Sequence, residues 1–383
     1  MQRIVMFSGG SACRSINLAL ARKDVHLTRV VPAWDSGGSS RLIRERLNIL
    51  SVGDIRQALM TMAHGERRSG DVVRIFNTRV SGTAGTEAAR TEFRLYADGN
   101  HPLLQRIEPG LRGAVINYLN TFATAVGDDF DFRNGSIGNF ILTGACIAHN
   151  GDVNTAIFVF RKLCDIHGDV WPSTLENDLI LSGTLRNGER RSPQDALTKL
   201  SEADAALGIE DIRLAGTAGR EPLANPVVTE AIRSADLIAF GPGSFYTSVL
   251  PHLLVRGVVS AVESAACPVL FVGNVLQCRE TTGMTLVDLV DRFVGKWGSV
   301  AVTGAVPSLK VLANRVLSPC DKSVAGFPYL AARHHAAGER TGYVVVEDDF
   351  EDVWNRGQHD GDLVAEQILG LLRHDTISVT PMR

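Results

Sequence analysis

Two glycine-rich segments carry the residue types best suited to holding an anion: Ser8-Gly9-Gly10-Ser11 near the start of the chain and Gly241-Pro242-Gly243-Ser244 later on. Glycine lets the backbone approach a ligand closely. The N–H groups that open a following helix then favour negative charge. Arg14 follows the first segment and adds a positive side chain. Ser244, Thr247 and Ser248 place three hydroxyls at the start of the helix after the second. One of these suits an N-cap, and the others suit phosphate or ribose contacts. The first loop lacks the G-x-G-x-x-G dinucleotide pattern, and the chain has no G-x-x-x-x-G-K-[ST] phosphate loop. The alternative reading of each loop is a tight turn between strand and helix that binds nothing.

Asp35-Ser36-Gly37-Gly38-Ser39-Ser40 is a third polar loop after an apolar run. Asp35 has the chemistry to hold Mg²⁺ or to activate a hydroxyl; equally, an Asp in a turn caps the segment that follows. Arg41, Arg44, Arg46 and Arg56 lie close behind it. Arginine pairs bidentately with phosphate, and a solvated helix face is the other reading. Gly53-Asp54 opens a helix, and Asn134 to Asn139 precedes the apolar run Phe140 to Ala148. Gly273-Asn274 ends another strand, followed by Gln277, Glu280, Thr281 and Thr282, a set that fits base or ribose recognition or a solvated loop. The ten histidines, among them His149, His167, His334 and His335, show no metal-binding or catalytic spacing. The six cysteines form no C-x-x-C pair, which argues against zinc. No G-x-S-x-G nucleophile elbow occurs.

The elements that must position these loops alternate between short β-branched runs and helical patterns over 383 residues. That alternation predicts an α/β fold, a mostly parallel sheet with helices on both faces. Ligands of such sheets gather at the carboxyl ends of the strands. Strands are expected at Arg3 to Phe7, Leu27 to Ala33, Leu237 to Phe240, Pro268 to Val272, Val300 to Val302 and Tyr343 to Val346. Helices are expected at 137–148, 152–165, from Thr285, at Ser308 to Val316 and at Leu363 to Leu372. Residues 64–100 read as an insertion or lid, and 165–205 as a second insertion with a hairpin turn at Asn187-Gly188. No linker interrupts the chain, so a single domain over 1–383 is expected. Net charge is −3, which argues against a surface built for nucleic acid. No apolar run approaches the roughly 18 residues of a membrane helix. The amino terminus reads as a strand entering a turn, so a cytoplasmic protein with reduced thiols is expected.

The order of the loops is more specific than any one of them. Met6-Phe7-Ser8-Gly9-Gly10, Asp35 to Ser40, Gly53-Asp54-Ile55-Arg56, Ser136-Ile137-Gly138-Asn139, Phe240 to Ser248 and Gly273-Asn274 together resemble the family of 2-phospho-L-lactate transferase (CofD) and its YvcK-type relatives. The likeness spans roughly residues 3 to 320. It implies a Rossmann-like fold. Transferase members join a phospholactate unit, carried on a guanosine diphosphate donor, to the hydroxyl of a deazaflavin with Mg²⁺, in the biosynthesis of coenzyme F420. YvcK-type members bind a UDP-sugar and act in carbon metabolism and cell-shape control. Members often form homodimers.

By position, the resemblance carries phosphate-side roles to Ser8, Gly9, Gly10, Gly241, Gly243, Ser244 and Thr247, and ligand-side roles to Asp35 and Asn274. Ser11, Arg14, Pro242 and Ser248 complete the expected nucleotide set. Ser36, Gly37, Gly38, Asp54, Arg56 and Asn139 are expected to line the rest of the pocket. Two departures stand out. Ser11-Ala12 replaces the later Thr-Gly of the first loop, with Arg14 supplying charge instead. Trp34, where an acidic residue often stands, is available to stack on a ring. The leading expectation is a transferase with Asp35 as metal ligand or base; the rival is a non-catalytic UDP-sugar-binding regulator. The second glycine loop is expected to carry more of the binding than the first.

Overall fold

A computed structural model describes residues 1–63, 69–216, 219–303, 306, 308–316, 323–332 and 342–374. Its frame is a sheet of seven strands: β1 (Gln2–Phe7), β2 (Val25–Val31), β3 (Asp169–Pro172), then β7 (Leu237–Phe240), β8 (Val269–Val272), β9 (Leu309–Asn314) and β12 (Tyr343–Asp348). The order across the sheet is β12-β9-β8-β7-β1-β2-β3, and every pairing is parallel. Of the shorter strands, β4 (Ile180–Leu185), β5 (Arg190–Arg191) and β6 (Ile209–Ala215) form a separate antiparallel sheet. The hairpin β10 (Ser323–Val324) and β11 (Phe327–Pro328) stands apart.

Side chains of a strand alternate between faces, and here both faces are buried. Ile4, Met6, Leu237, Ala239, Leu270 and Val272 enter one core, whereas Val5, Phe7, Ile238, Phe240, Val269 and Phe271 enter the other. That explains near-continuous apolar strands. The first core is covered by α1 (Arg14–Leu20), α2 (Gly38–Leu47), α3 (Gly53–Met62), α4 (Ser69–Asn77), α5 (Thr86–Ala97), α6 (Pro109–Val126), α7 (Ile137–Ala148) and α8 (Val153–Leu163). The small sheet, with α9 (Gln194–Thr198) and α10 (Glu202–Leu207), lies over the second core. So do α11 (Pro226–Arg233), α12 (Val258–Ala265) and α13 (Leu286–Val300), whereas α14 (Gly361–His374) returns to the first.

Helix α7 is buried over most of its length because Gly144 allows α6 to touch it. A methyl group there would meet the Tyr118 carbonyl oxygen. The rings of Phe93 and Phe132 stack at 4.1 Å, and those of Phe122 and Phe140 at 4.6 Å. Residues 69–97, expected as an insertion or lid, therefore supply two helices of the packed layer, with Phe76 and Phe93 fully buried; 64–68 lie outside the described residues. Within 165–205, Asp169–Pro172 is the edge strand of the main sheet, and the rest builds most of the small sheet.

Two expected elements exchange type. Ser308 to Val316 holds strand β9, not a helix. Its apolar residues Leu309, Val311, Leu312 and Ala313 fit helical spacing, but both faces of the strand are covered and pairing with β8 and β12 decides. Val300 to Val302 is not a strand: α13 runs on to Val300, and Val302 is largely exposed. Among the described residues the cysteines 13, 146, 164, 267 and 278 are free; Cys320, His334 and His335 lie outside them. No described helix is long and apolar enough to cross a membrane.

Candidate functional site

From β1 the chain steps to β2 and β3 on one side, and from β7 to β8, β9 and β12 on the other. The direction of winding reverses between β1 and β7. At such a switch point the loops leaving neighbouring strands part and open a crevice. Both glycine loops leave there: Ser8 to Cys13 from β1, Gly241 to Ser244 from β7. They touch. A methyl on Gly243 would lie 3.2 Å from the Gly9 nitrogen, and one on Gly9 would lie 3.1 Å from the Ser248 hydroxyl. Buried Cys13 lies with its Sγ 3.7 Å from the Pro242 carbonyl oxygen.

The first loop is shaped by charge. The Gly10 N–H donates to Asp54 Oδ1 at 3.0 Å. A side chain at Gly10 would come within 2.8 Å of the Asp54 backbone oxygen and of Gln57, so the loop lies directly against the start of α3. Arg29, on β2 beside Met6, is fully buried. Its Nη2 donates to Ser8 Oγ at 2.7 Å and to the Gly9 carbonyl at 2.6 Å. Arg29 Nε and Nη1 are buried with no hydrogen-bond partner. Among the described residues the N–H groups of Gly9, Ser11 and Ala12 also donate to nothing. Ser11 and Arg14 are exposed at the loop's edge.

The second loop is held from below. Gly241 has a φ of 85°, and a methyl there would come within 2.5 Å of the Val272 oxygen, so glycine is required on both counts. Asn274 clamps Gly243 at both ends: its Oδ1 accepts from the Gly243 N–H at 2.9 Å and its Nδ2 donates to the Gly243 carbonyl at 2.8 Å. Buried Glu280 accepts the Tyr246 N–H at 3.0 Å and the Thr247 hydroxyl at 2.7 Å. Burial pushes the Glu280 carboxyl up to about 7, against the pull of those bonds. Asn274 and Thr247 are thus tied into the loop's own frame, and Thr247 is 1% exposed. Ser244 and Ser248 stay partly exposed, and the N–H groups of Ser244 and Phe245 are unpaired among the described residues.

Asp35 follows β2. Its Oδ1 accepts the Gly37 N–H at 3.0 Å, and its Oδ2 lies 3.4 Å from the Ser51 hydroxyl. Gly53 is pressed against it: a methyl there would sit 2.6 Å from Asp35 Oδ2 and 2.5 Å from Ser40 Oγ. This explains the glycine before Asp54. The Asp54 carboxyl is pushed up to about 7, first by burial and then by the negative charge of Asp35; the Gly10 N–H, Arg29 and Arg56 act the other way. Arg56 is buried and donates to Asn139 at 3.1 Å and to Asn77 at 3.0 Å. Burial, then Arg79, brings its guanidinium down to about 10, opposed by Asp54 and Asp35. Asn139 in turn donates to Ser39 at 3.1 Å.

The structure thus joins Gly9, Gly10, Asp54, Arg56, Asn139 and Asp35 around the first loop and the start of α3. Other expected residues point elsewhere. The Ser36 hydroxyl accepts the Asp195 N–H at 2.9 Å, tying this loop to α9, and Gly38 is exposed with a φ of 50°. Arg44 donates to the carbonyls of Trp34, Asp35 and Leu179. Arg41 pairs with Glu45 and Arg46 with Asp129. Trp34 does not offer a ring to a ligand. It is buried, donates to the Thr247 carbonyl at 2.9 Å and packs edge-on to His252. Sequence reasoning missed Arg29 because a single arginine in an apolar strand reads as a snorkelling side chain. Nothing in its spacing linked it to Ser8.

A parallel sheet whose winding reverses between two glycine loops defines a Rossmann-like α/β protein. Comparison with known proteins makes this particular. The model of the family described as 2-phospho-L-lactate transferase CofD matches residues 4–327, and the chain belongs to that family. It is 27% identical to the gluconeogenesis factor of Listeria monocytogenes over 98% of this chain and 97% of that one. It is 26% identical to the gluconeogenesis factor of Halalkalibacterium halodurans over 96% of each. Its fold matches a crystal structure of a Bacillus halodurans protein with a TM-score of 0.72 at 24% identity, covering 96% of this chain and 99% of that one.

Proposed function

We propose that the chain binds a nucleoside diphosphate joined to a sugar and acts as a ligand-binding protein of carbon metabolism. The observation that carries this is the row of unpaired N–H groups at Gly9, Ser11 and Ala12, beside the buried and partly unpaired Arg29. Backbone donors with a nearby cation suit a diphosphate. Likeness to gluconeogenesis factors along nearly the whole chain supports the metabolic setting. Position 34 favours binding over transfer, because a buried indole stands there in place of a second carboxylate on that loop. The test is calorimetry with a UDP-sugar beside an assay of phospholactate transfer from a guanosine donor to a deazaflavin. Binding without turnover is expected; transfer to the deazaflavin would overturn this reading.

One observation favours the transferase. Asp35 and Asp54 repel each other across Gly53, and a divalent cation relieves such repulsion. Among the described residues no cluster of three His, Cys, Asp or Glu side chains could hold a metal. Mg²⁺ needs fewer protein ligands when phosphates and water complete its shell. Asp35 and Asp54 fit that role, and the ion would neutralise the diphosphate. In this reading the first-loop N–H groups orient the donor, and Asp35 is the available base for an acceptor hydroxyl.

A further inference from the structure

Helices α5 and α6 run antiparallel against the first core. At one end Asn120 Nδ2 donates to the Ala97 carbonyl at 2.9 Å, and at the other Arg90 Nη1 lies 3.8 Å from Asp128 Oδ1. Residues 90, 93, 94, 97 and 98 follow one stripe of α5 to its end, and 120, 123 and 127 one stripe of α6, because positions three and four apart share a helix face. Between the two stripes Ala97, Ala123 and Gly127 are too small to fill the space, and a cavity of about 350 Å³ opens there. That volume lies within the range of about 300–1,000 Å³ usual for small-molecule sites. Its apolar wall is formed by Phe93 and Phe132, whose rings stack at 4.1 Å.

The polar groups of this cavity are short of partners. The Arg90 side chain is 15% exposed, and its Nε is buried with no hydrogen bond. The carboxylates nearest to it, Glu87 and Asp128, stand 3.8 Å away, too far for hydrogen bonds. A guanidinium withdrawn from water without acceptors costs stability, so an incoming carboxylate is rewarded there. Arg94 and Asp98 are exposed one turn apart, and an acid placed after its base along a helix pairs weakly. Among the described residues neither side chain has an ion pair. Asn120 Nδ2 is spent on the carbonyls of Ala97 and Ile116, which leaves its Oδ1 to accept.

We infer that this cavity binds a free α-amino acid with an apolar side chain. Its carboxylate lies on Arg90 and Arg94, its ammonium on Asp98 and Asn120 Oδ1, and its side chain against Phe93 and Phe132. Arginine meets a carboxylate with a fork of donors, and an ammonium offers donors alone, which suits a carboxylate and an amide oxygen. Side chains one helical turn apart stand about 5–6 Å from each other, a gap that the carboxylate and ammonium on a single carbon bridge. The two arginines balance Asp98 and Asp128 in formal charge. That balance disfavours a phosphate and a simple cation alike and favours a zwitterion. The cavity shares no residue with the glycine loops, so the inference does not rest on the nucleotide reading.

The experiment is a thermal melt of the full chain with millimolar L-leucine, L-methionine or L-phenylalanine, followed by calorimetric titration. At least one of the three should raise the midpoint, as a ligand of the folded state does. Its amide and its N-acetyl derivative each lack one charge and should bind about tenfold more weakly. Arg94→Met removes a cation and Ala123→Leu fills the cavity, and each should lose about tenfold in affinity for the amino acid. Arg94 is exposed, so that variant keeps the test open if Ala123→Leu fails to fold. An unmoved midpoint with all three amino acids, derivatives that bind as tightly as the parent, or unaltered affinity in Arg94→Met would overturn the assignment.

Discussion

The two glycine loops leave neighbouring strands and touch, yet they are held by opposite means. The second is braced by side chains from the β8 loop: Asn274 closes on Gly243, and Glu280, its carboxyl pushed up to about 7, takes the Tyr246 N–H and the Thr247 hydroxyl. The first rests on charge and leaves donors over. Arg29 holds Ser8 and Gly9 with one nitrogen and has two nitrogens unpaired, and the N–H groups of Gly9, Ser11 and Ala12 face no protein acceptor among the described residues. Both loops keep spare backbone donors, Gly9, Ser11 and Ala12 in the first and Ser244 and Phe245 in the second, but the first also has a buried, partly unpaired cation beside it. In the proposed reading the first loop, with Arg29 beside it, takes the larger share of the anion.

Breaking the scaffold should cost most. Glu280→Ala leaves a buried N–H and a hydroxyl without acceptors, and stability by urea titration should fall by about 3 kcal/mol. Glu280→Gln keeps an acceptor and should cost less. It also tests a pH effect. An acid whose carboxyl is raised on folding binds more protons folded than unfolded, so its contribution is greatest below about 4.5 and is lost as pH rises towards about 7. Urea midpoints across that window should decline for the unaltered chain and decline less steeply for Glu280→Gln, the remainder coming from Asp54, which is raised to about 7 as well.

Gly10→Ala comes next, because its methyl meets the Asp54 backbone at 2.8 Å. A loss of about 2 kcal/mol is expected, with loss of diphosphate binding. Arg29→Met separates the two roles most sharply. Removing a buried, incompletely paired cation should leave the thermal midpoint unchanged or raised, while calorimetry shows about tenfold weaker diphosphate binding. A lower midpoint with unchanged binding would make Arg29 part of the scaffold. The smallest effect belongs to exposed Arg14: Arg14→Ala should leave stability alone and weaken binding roughly threefold, more so at low salt.

Much of this frame is legible in the chain. The apolar runs Arg3 to Phe7 and Leu237 to Phe240 mark strands buried on both faces, and the glycines after them mark turns that only glycine fits. The sequence does not reveal which donors are already spent. Thr247, Asn274 and Arg44 have side chains a phosphate would use, but their partners are Glu280, Gly243 and the Trp34, Asp35 and Leu179 carbonyls. Two of those partners, Gly243 and Leu179, are 31 and 135 residues away. Ser308 to Val316, expected as a helix, is strand β9 for a related reason, since four apolar residues in a short run fit either period and the neighbouring strands decide. Burial and partner choice are tertiary facts.

Backbone amide chemical shifts report the spare donors of the first loop directly. Adding UDP to the ¹⁵N-labelled chain should move the Gly9, Ser11 and Ala12 resonances most and leave Gly243 and Tyr246 nearly still. Shifts concentrated at Gly243 and Tyr246, with the first loop unmoved at saturation, would contradict the first loop's larger share of the anion.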